Sequence, residues 1–150
     1  RCAFGAETNE AELVEAVTRG ADDGRGLVAF EGEALVGWMK LTWRRALPKL
    51  VARVPYRDLD LDGSRVLSIG CLLVDPSMRR RGVARALVAG GLEWAKRWGA
   101  THVEAYPRRA EQPLHDGEAW LGPERVFAEL GFVVARDAPQ YPVLRRATST

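Results

Sequence analysis

The stretch RVLSIGCLLVDPSMRRRGVARALVAGGLEWAKRW, residues 65–98, sets the architecture of this chain. Its first part, residues 65–74, is a short and nearly continuous apolar run, which predicts a buried β-strand. Asp75 and Pro76 then indicate a tight connection. Three arginines, a glycine and a second patterned segment follow this connection directly.

The segment that follows Gly82 is predicted to be an α-helix. Apolar residues fall on one helical face at spacings of the i, i+4 and i+7 type. This face comprises Val83, Leu87, Trp94 and Trp98. Gly99 follows as the C′ residue that commonly ends a helix. The stretch therefore predicts a strand, a basic turn and a helix in immediate succession.

The chemistry of this stretch lies at the strand-to-helix junction. The first turn of a helix has N–H groups without intrahelical partners, and the macrodipole makes this end attractive to anions, phosphate above all. Gly82 adds no side chain where phosphates would contact the backbone. The surrounding cations are Arg79, Arg80, Arg81 and Arg85. A solvated charge run is the alternative, but cations are disfavoured at this end unless an anion is held there.

The spacing Arg79-x-x-Gly82-x-Ala84, placed after an apolar strand, resembles the acyl-CoA-binding motif of the GNAT family of N-acyltransferases. The order of elements is similar from about residue 27 to the C-terminus. The resemblance implies an α/β (α+β) fold with a mixed central sheet flanked by helices. It also implies acetyl-CoA as cosubstrate.

In that family two parallel strands splay apart, and the pantetheine arm of the cofactor enters the gap. The resemblance implies that backbone groups of Leu72, Leu73 and Val74 bind this arm. It further implies that the junction binds the phosphates. The residues it assigns there are Arg79, Arg80, Arg81, Gly82, Val83, Ala84 and Arg85.

Other segments predict the rest of the sheet and its helices. Predicted strands lie at Leu27–Phe30, Ala34–Trp43, Ala100–Tyr106, Phe132–Ala135 and Pro142–Leu144, the first two joined as a hairpin and the last two as another. Predicted helices lie at Asn9–Arg19, around Ala46–Val51, and from Pro123 to a stop at Gly131. The family usually has a strand before its first helices, and we expect that strand to be missing from this numbering.

Composition predicts one domain over residues 1–150. The net charge of +2 is too small to indicate nucleic-acid binding by itself. No run of about 18 apolar residues predicts a membrane span, and we expect a cytoplasmic protein. Two cysteines are too few for a disulfide framework. Asp60-x-Asp62-Gly63 lacks the remaining ligands of a calcium loop, so no metal is expected.

Acyl transfer requires an amine to lose a proton, a carbonyl to be polarised and a thiolate to leave. The candidate base is Glu104, with Tyr106 on the same face of the strand as a candidate proton donor. An outward-facing Glu104 with no catalytic role is the alternative. His115 and Asp116 are second candidates. Phe127 stands where many GNAT enzymes carry a tyrosine acid, which removes the usual donor.

The VEAYP stretch at 103–107 and the RCAF start resemble a little-described branch of the family, which supplies no acceptor. We therefore expect an N-acetyltransferase acting by direct attack on a primary amine of a small molecule or peptide. A non-catalytic acyl-CoA-binding module is the alternative. A nucleic-acid partner is disfavoured because no aromatics interleave the basic residues. A homodimer stays open.

Overall fold

The computed structural model describes residues 20, 22–57, 65–110 and 122–149. The strands are β1 (Gly26–Glu31), β2 (Ala34–Trp43), β3 (Val66–Val74), β4 (His102–Ala105), β5 (Val133–Arg136) and β6 (Val143–Ala147). The helices are α1 (Pro48–Val51), α2 (Val83–Arg97) and α3 (Glu124–Glu129). The predicted helix at Asn9–Arg19, the Asp60–Gly63 motif, His115 and Asp116 lie outside the described residues.

The strands form one mixed sheet in the order β1-β2-β3-β4-β6-β5. Every neighbouring pair is antiparallel except β3 and β4, which are parallel and are connected through α2. The predicted mixed sheet, the first hairpin and the crossover are confirmed. The closing hairpin is also present, with β6 inserted between β4 and β5.

The observed boundaries differ from the predicted ones at the later strands. The strand predicted over Ala100–Tyr106 is shorter, because only His102–Ala105 pair with neighbours. The last strand is longer than predicted and runs from Val143 to Ala147. Its extra residues were not recognised because Arg145 and Arg146 interrupt the apolar pattern.

Helix α2 covers one face of the sheet, but its buried face differs from the predicted one. The buried residues are Leu87, Val88, Gly91, Leu92 and Ala95. Trp94 is 43% exposed and packs beside Trp98. The reason is close contact with β2, since a Cβ at Gly91 would lie 2.6 Å from Cε of Met39. A bulky tryptophan therefore lies off this contact line.

The sheet has an apolar cluster on each face. The larger cluster lies under α2 and includes Met39, Leu41, Leu67 and Ile69. The smaller one comprises Leu50, Tyr56, Tyr106 and Val143. Val103 and Ala105 of β4 join the larger cluster, and Tyr106, the residue after β4, joins the smaller one on the other side.

Within the described part of the chain, no helix is long and apolar enough to cross a membrane. In the same ranges, no group of three or more His, Cys, Asp or Glu residues has the arrangement of a metal site.

Candidate active site

Strands β3 and β4 form a fork. They pair over three positions, which end at Ser68 opposite Glu104. Strand β3 then runs on to Val74, whereas β4 ends at Ala105. From Ile69 onward, β3 pairs with β2 on one edge, and no strand among the described residues pairs with its other edge. An open strand edge presents N–H and C=O groups that a ligand amide can bind, and the predicted splay is confirmed.

A β-bulge lies on the open part of β3. Lys40 pairs with Cys71 and Leu41 pairs with Ile69, so Gly70 is the additional residue. A bulge bends its strand and increases the local twist. The bend therefore falls between the closed base of the fork, at Ser68, and its open end.

A cleft of about 240 Å³ lies at the open end of the fork. Its lining comprises Leu72, Leu73, Val74, Met78, Arg79, Arg80, Gly82, Val83, Ala84 and Pro123. The lining includes every cofactor-binding residue predicted from sequence except Arg81 and Arg85. It also includes Met78 and Pro123, which were not predicted. The strand end and the helix start thus face one cavity.

The backbone of the junction is held in a conformation that favours an anion. Gly82 has a φ of 84° and caps α2 without a side-chain hydrogen bond. Arg80 has a φ of 60°, which is uncommon for a residue with a side chain. A Cβ at Gly82 would meet no atom within 4 Å. Because Gly82, Val83 and Ala84 all line the cleft, the first turn of α2 borders space that a ligand can enter.

Two predicted cations point elsewhere. Arg81 contacts Sδ of Met78 through Nη1 at 3.1 Å. Arg85 donates from Nη1 to Glu129 of α3 at 3.0 Å. Neither lines the cleft, because each side chain is engaged beside it.

Asp75 orders the turn that leads into the junction. Its Oδ1 accepts hydrogen bonds from the N–H and the hydroxyl of Ser77, at 2.9 and 2.5 Å. These bonds lower the pKa of Asp75 below its ordinary value of 3.8. Its own N–H donates to the carbonyl of Val36 at 2.9 Å. The turn is therefore fixed to the sheet and within itself.

The base of the fork holds a buried charge network around Glu104, which is fully buried. Arg44 donates from Nη1 to both carboxylate oxygens, at 2.9 and 2.8 Å. Arg145 donates to Oε1 from Nε at 2.9 Å and from Nη2 at 2.5 Å. Tyr106 donates to Oε2 at 2.8 Å. Two guanidinium groups and a phenol thus compensate one carboxylate.

Tyr106 links this network to β3. Its hydroxyl lies 2.6 Å from the hydroxyl of Ser68. Burial, and after it the negative charge of Glu104, raise the pKa of Tyr106 well above its usual value of 10.0. The phenol therefore stays protonated. Since its one proton is donated to Glu104, Ser68 is the donor in the bond to Tyr106.

The structure brings the two predicted catalytic residues together. Glu104 of β4 and Tyr106, which follows the strand, lie on the same face of the sheet, as expected, but Glu104 is not the exposed strand carboxylate of the alternative. Its role as a base stays a prediction. Phe127 is buried, and a Cβ at Gly122 would lie within 3 Å of both Phe127 and Leu72, which places the ring beside the cleft.

Three functional candidates were missed from sequence, namely Ser68, Arg44 and Arg145. Ser68 could have been noticed as a hydroxyl at an inward position of a buried strand. Arg145 lies opposite Glu104 in the register of β4 and β6. Arg44 directly follows β2. Neither partnership is visible without the pairing of strands far apart in the chain.

Comparison with known proteins agrees with this architecture. A model of the acetyltransferase (GNAT) family matches residues 2–116. The chain belongs to this family. Among curated proteins, no match to the chain is found.

Solved structures share the fold at low sequence identity. Nourseothricin acetyltransferase is 18% identical with a TM-score of 0.55, and the match covers 83% of this chain and 65% of that one. PaiA N-acetyltransferase from Thermoplasma acidophilum, solved with coenzyme A, is 12% identical with a TM-score of 0.61 and coverages of 95% and 71%. YhbS from Escherichia coli, also solved with coenzyme A, is 20% identical with a TM-score of 0.57 and coverages of 93% and 67%. This chain thus spans just under two thirds of the first of these proteins.

Proposed function

We propose that this protein is a cytoplasmic N-acetyltransferase that transfers an acetyl group from acetyl-CoA to a primary amine of a small molecule or peptide. The observation that carries the proposal is the open first turn of α2 at Gly82, which faces the same cleft as the edge of β3 that no described strand pairs with. A diphosphate and an amide-bearing arm need these two features side by side.

The cofactor would lie along the junction and the open strand. Its diphosphate binds the first-turn N–H groups of α2, with Arg79 and Arg80 lining the same cleft. Its pantetheine amides bind the backbone of Leu72–Val74. Val74 and Ile69 are separated by roughly 16 Å at about 3.3 Å per residue. The thioester would therefore reach towards the base of the fork.

Transfer would proceed by direct attack of the amine on the thioester carbon. The new C–N bond forms, the C–S bond breaks, and the amine loses one proton. We carry Glu104 and Tyr106 forward as the groups that handle protons. The hydroxyls of Ser68 and Tyr106 connect the fork to Glu104, so a proton can move along them without the amine touching the carboxylate. Tyr106 then returns a proton through Ser68 to the departing thiolate and regains one from Glu104, so both hydroxyls and the carboxylate end as they began.

A second candidate function is acyl-CoA binding without turnover. The observation in its favour is Phe127, an apolar ring beside the cleft at the place where many related enzymes carry a proton donor. In that case the protein would bind the cofactor and report its presence to a partner.

Thiol release from acetyl-CoA across a broad panel of primary amines separates the two functions. The enzymatic proposal expects amine-dependent release that disappears in Gly82→Glu and persists in Lys96→Gln, a change at the far end of α2. Cofactor binding by calorimetry without release from any amine would support the binding module. Absence of binding at high micromolar acetyl-CoA would contradict both.

A further inference from the structure

The face of the sheet opposite α2 carries an exposed apolar patch, here called the β1–β3 patch. Its members are Val28, Phe30, Leu35, Trp38 and Leu73. We propose that this patch binds a large apolar side chain of a peptide acceptor, at a fixed distance from the amine that is acetylated. This inference rests on the proposed function and deepens it by naming the acceptor class.

Strand pairing places the patch on a single face. The residues next to its members along the three strands pack in the larger cluster under α2. They are Leu27, Ala29, Met39 and Leu72. Since side chains alternate along a strand, the patch members point to the other face.

The members of the patch are neighbours across the strands. Trp38 pairs with Val28 on one side and with Leu73 on the other. Phe30 pairs with Leu35. Directly paired side chains lie about 5 Å apart, so the patch is continuous across β1, β2 and β3.

The exposure of these side chains indicates a binding surface. Val28, Phe30, Leu35 and Leu73 are between 51% and 61% exposed, and Trp38 is half-buried beside them. Single exposed apolar side chains are ordinary on a protein surface, whereas a contiguous group of them marks a place where something binds.

Leu73 connects the patch to the cofactor cleft, because it also lines that cleft. Ser68 lies on the same face of β3, since its neighbours Leu67 and Ile69 pack under α2. An amine at the Ser68 hydroxyl therefore has the rest of its molecule on the side of the patch, because α2 covers the other side. This continuity with the cleft favours an acceptor as the occupant over a second copy of the chain.

The register of β3 sets the distance from the amine to the patch. Five positions separate Ser68 from Leu73, which is roughly 16 Å along a strand. An extended peptide advances by about the same length per residue, so its fourth to sixth side chains reach the patch when its N-terminal amine lies at Ser68. A small amine is too short to occupy both places.

The test moves one leucine along an otherwise polar peptide. The peptides are heptapeptide amides of serine and glycine with a free N-terminal amine, and each carries one leucine at a position from the second to the sixth, or none. Thiol release from acetyl-CoA gives kcat/KM, and calorimetry on the CoA-loaded protein gives affinity. We expect leucine at the fourth to sixth positions to raise both by about tenfold, and leucine at the second or third position to raise them less.

Two matched double variants locate this preference. Val28→Thr with Phe30→Thr makes the patch more polar and keeps residue types suited to strands. Val133→Thr with Val134→Thr makes a similar change on β5, at the opposite edge of the sheet, where these valines are 66% and 47% exposed. The patch variant should lose most of the leucine preference, whereas the β5 variant should keep it. Both should melt close to the parent temperature, since all four side chains are exposed.

The outcomes separate this inference from the proposed function. Equal kcat/KM for all peptides, or no release from any peptide, would overturn the inference and leave the acetyltransferase standing if small amines still give release. A leucine preference that the patch variant keeps would also overturn it. In that case, a lower melting temperature or the loss of a dimer in the patch variant would assign the patch to the protein's own packing or to a second copy. Failure of acetyl-CoA itself to bind would overturn the proposed function, and this inference with it.

Discussion

The open end of the β3–α2 junction and the closed base of the fork are built in opposite ways. At the open end, Gly82 is exposed, has a left-handed backbone and faces empty space. At the base, Glu104 is fully buried and bonded to Arg44, Arg145 and Tyr106. The open end leaves backbone N–H donors accessible to a ligand. At the base, the carboxylate oxygens of Glu104 already accept hydrogen bonds from side chains of the same protein.

The two regions use polar groups for different purposes. Buried ions are costly to desolvate and are tolerated only when paired, so the base holds β2, β4 and β6 in fixed register. Exposed N–H groups are hydrated, so leaving them without a protein partner costs little free energy. They form strong hydrogen bonds when an anion binds. Three substitutions test this contrast, and they follow in decreasing order of their predicted effect.

The largest effect is expected from Glu104→Gln. Removing the carboxylate charge breaks the buried ion pair with Arg44, and breaking such a pair typically costs about 3–5 kcal/mol of stability. Chemical denaturation measures the loss. Glu93→Gln, which removes a carboxylate with 68% exposure paired to Lys96, should change stability by no more than about 0.5 kcal/mol.

A loss of stability below about 1 kcal/mol for Glu104→Gln would contradict the proposed difference between the two regions. If enough variant folds for kinetics, the pH profile separates its roles. If Glu104 acts as a base, the activity of the parent falls at low pH, and this fall is absent from the variant. If Glu104 only positions other groups, the variant is slower than the parent at every pH.

An intermediate effect is expected at Arg85, on the rim of the open end. Glu129 binds both Arg85, at 3.0 Å, and Arg125, at 2.8 Å. In Glu129→Gln the Arg85 side chain is released to reach a phosphate, so CoA affinity should rise about two- to fivefold at low salt. Arg85→Gln should lower it. Calorimetry at two salt concentrations measures both, and a weaker complex in Glu129→Gln would show that Glu129 positions Arg85 for binding.

The smallest effect concerns Glu124, at the start of α3. Arg109 donates to it at 2.6 and 2.8 Å, and these bonds lower the pKa of Glu124 below 4.5. A lowered pKa stabilises the fold above the unfolded pKa, and this stability is lost as pH falls through the folded one. Glu124→Gln should thus lower the free energy of unfolding by about 0.5–1 kcal/mol at pH 7. The difference in stability between the variant and the parent should disappear as pH falls below 4.5. A gap that is independent of pH would contradict this.

The open end of the molecule was predictable from sequence because it is local. The strand, the turn, Gly82 and the helix are consecutive, and each carries its own pattern. The residues assigned to the cleft came from the resemblance, and the geometry places most of them there.

The base of the fork was not predictable because its members are distant in the chain. Arg44, Glu104 and Arg145 meet only through the order and register of four strands. The face of α2 was misjudged for a related reason. Trp94 looked like a core residue, but close packing against Met39 requires a glycine at the centre of the contact, and this tertiary constraint is not part of the helical pattern.

We claim that the open first turn of α2 binds the cofactor diphosphate, and CoA calorimetry on Gly82→Ala and Gly32→Ala tests this claim. Both glycines have positive φ, 84° and 60°, and a Cβ at either would meet no atom within 4 Å. Both variants should therefore lose a similar stability, about 1 kcal/mol. We predict that Gly82→Ala weakens CoA binding by about tenfold or more, while Gly32→Ala binds like the parent. Equal CoA affinity in Gly82→Ala and the parent would contradict the claim.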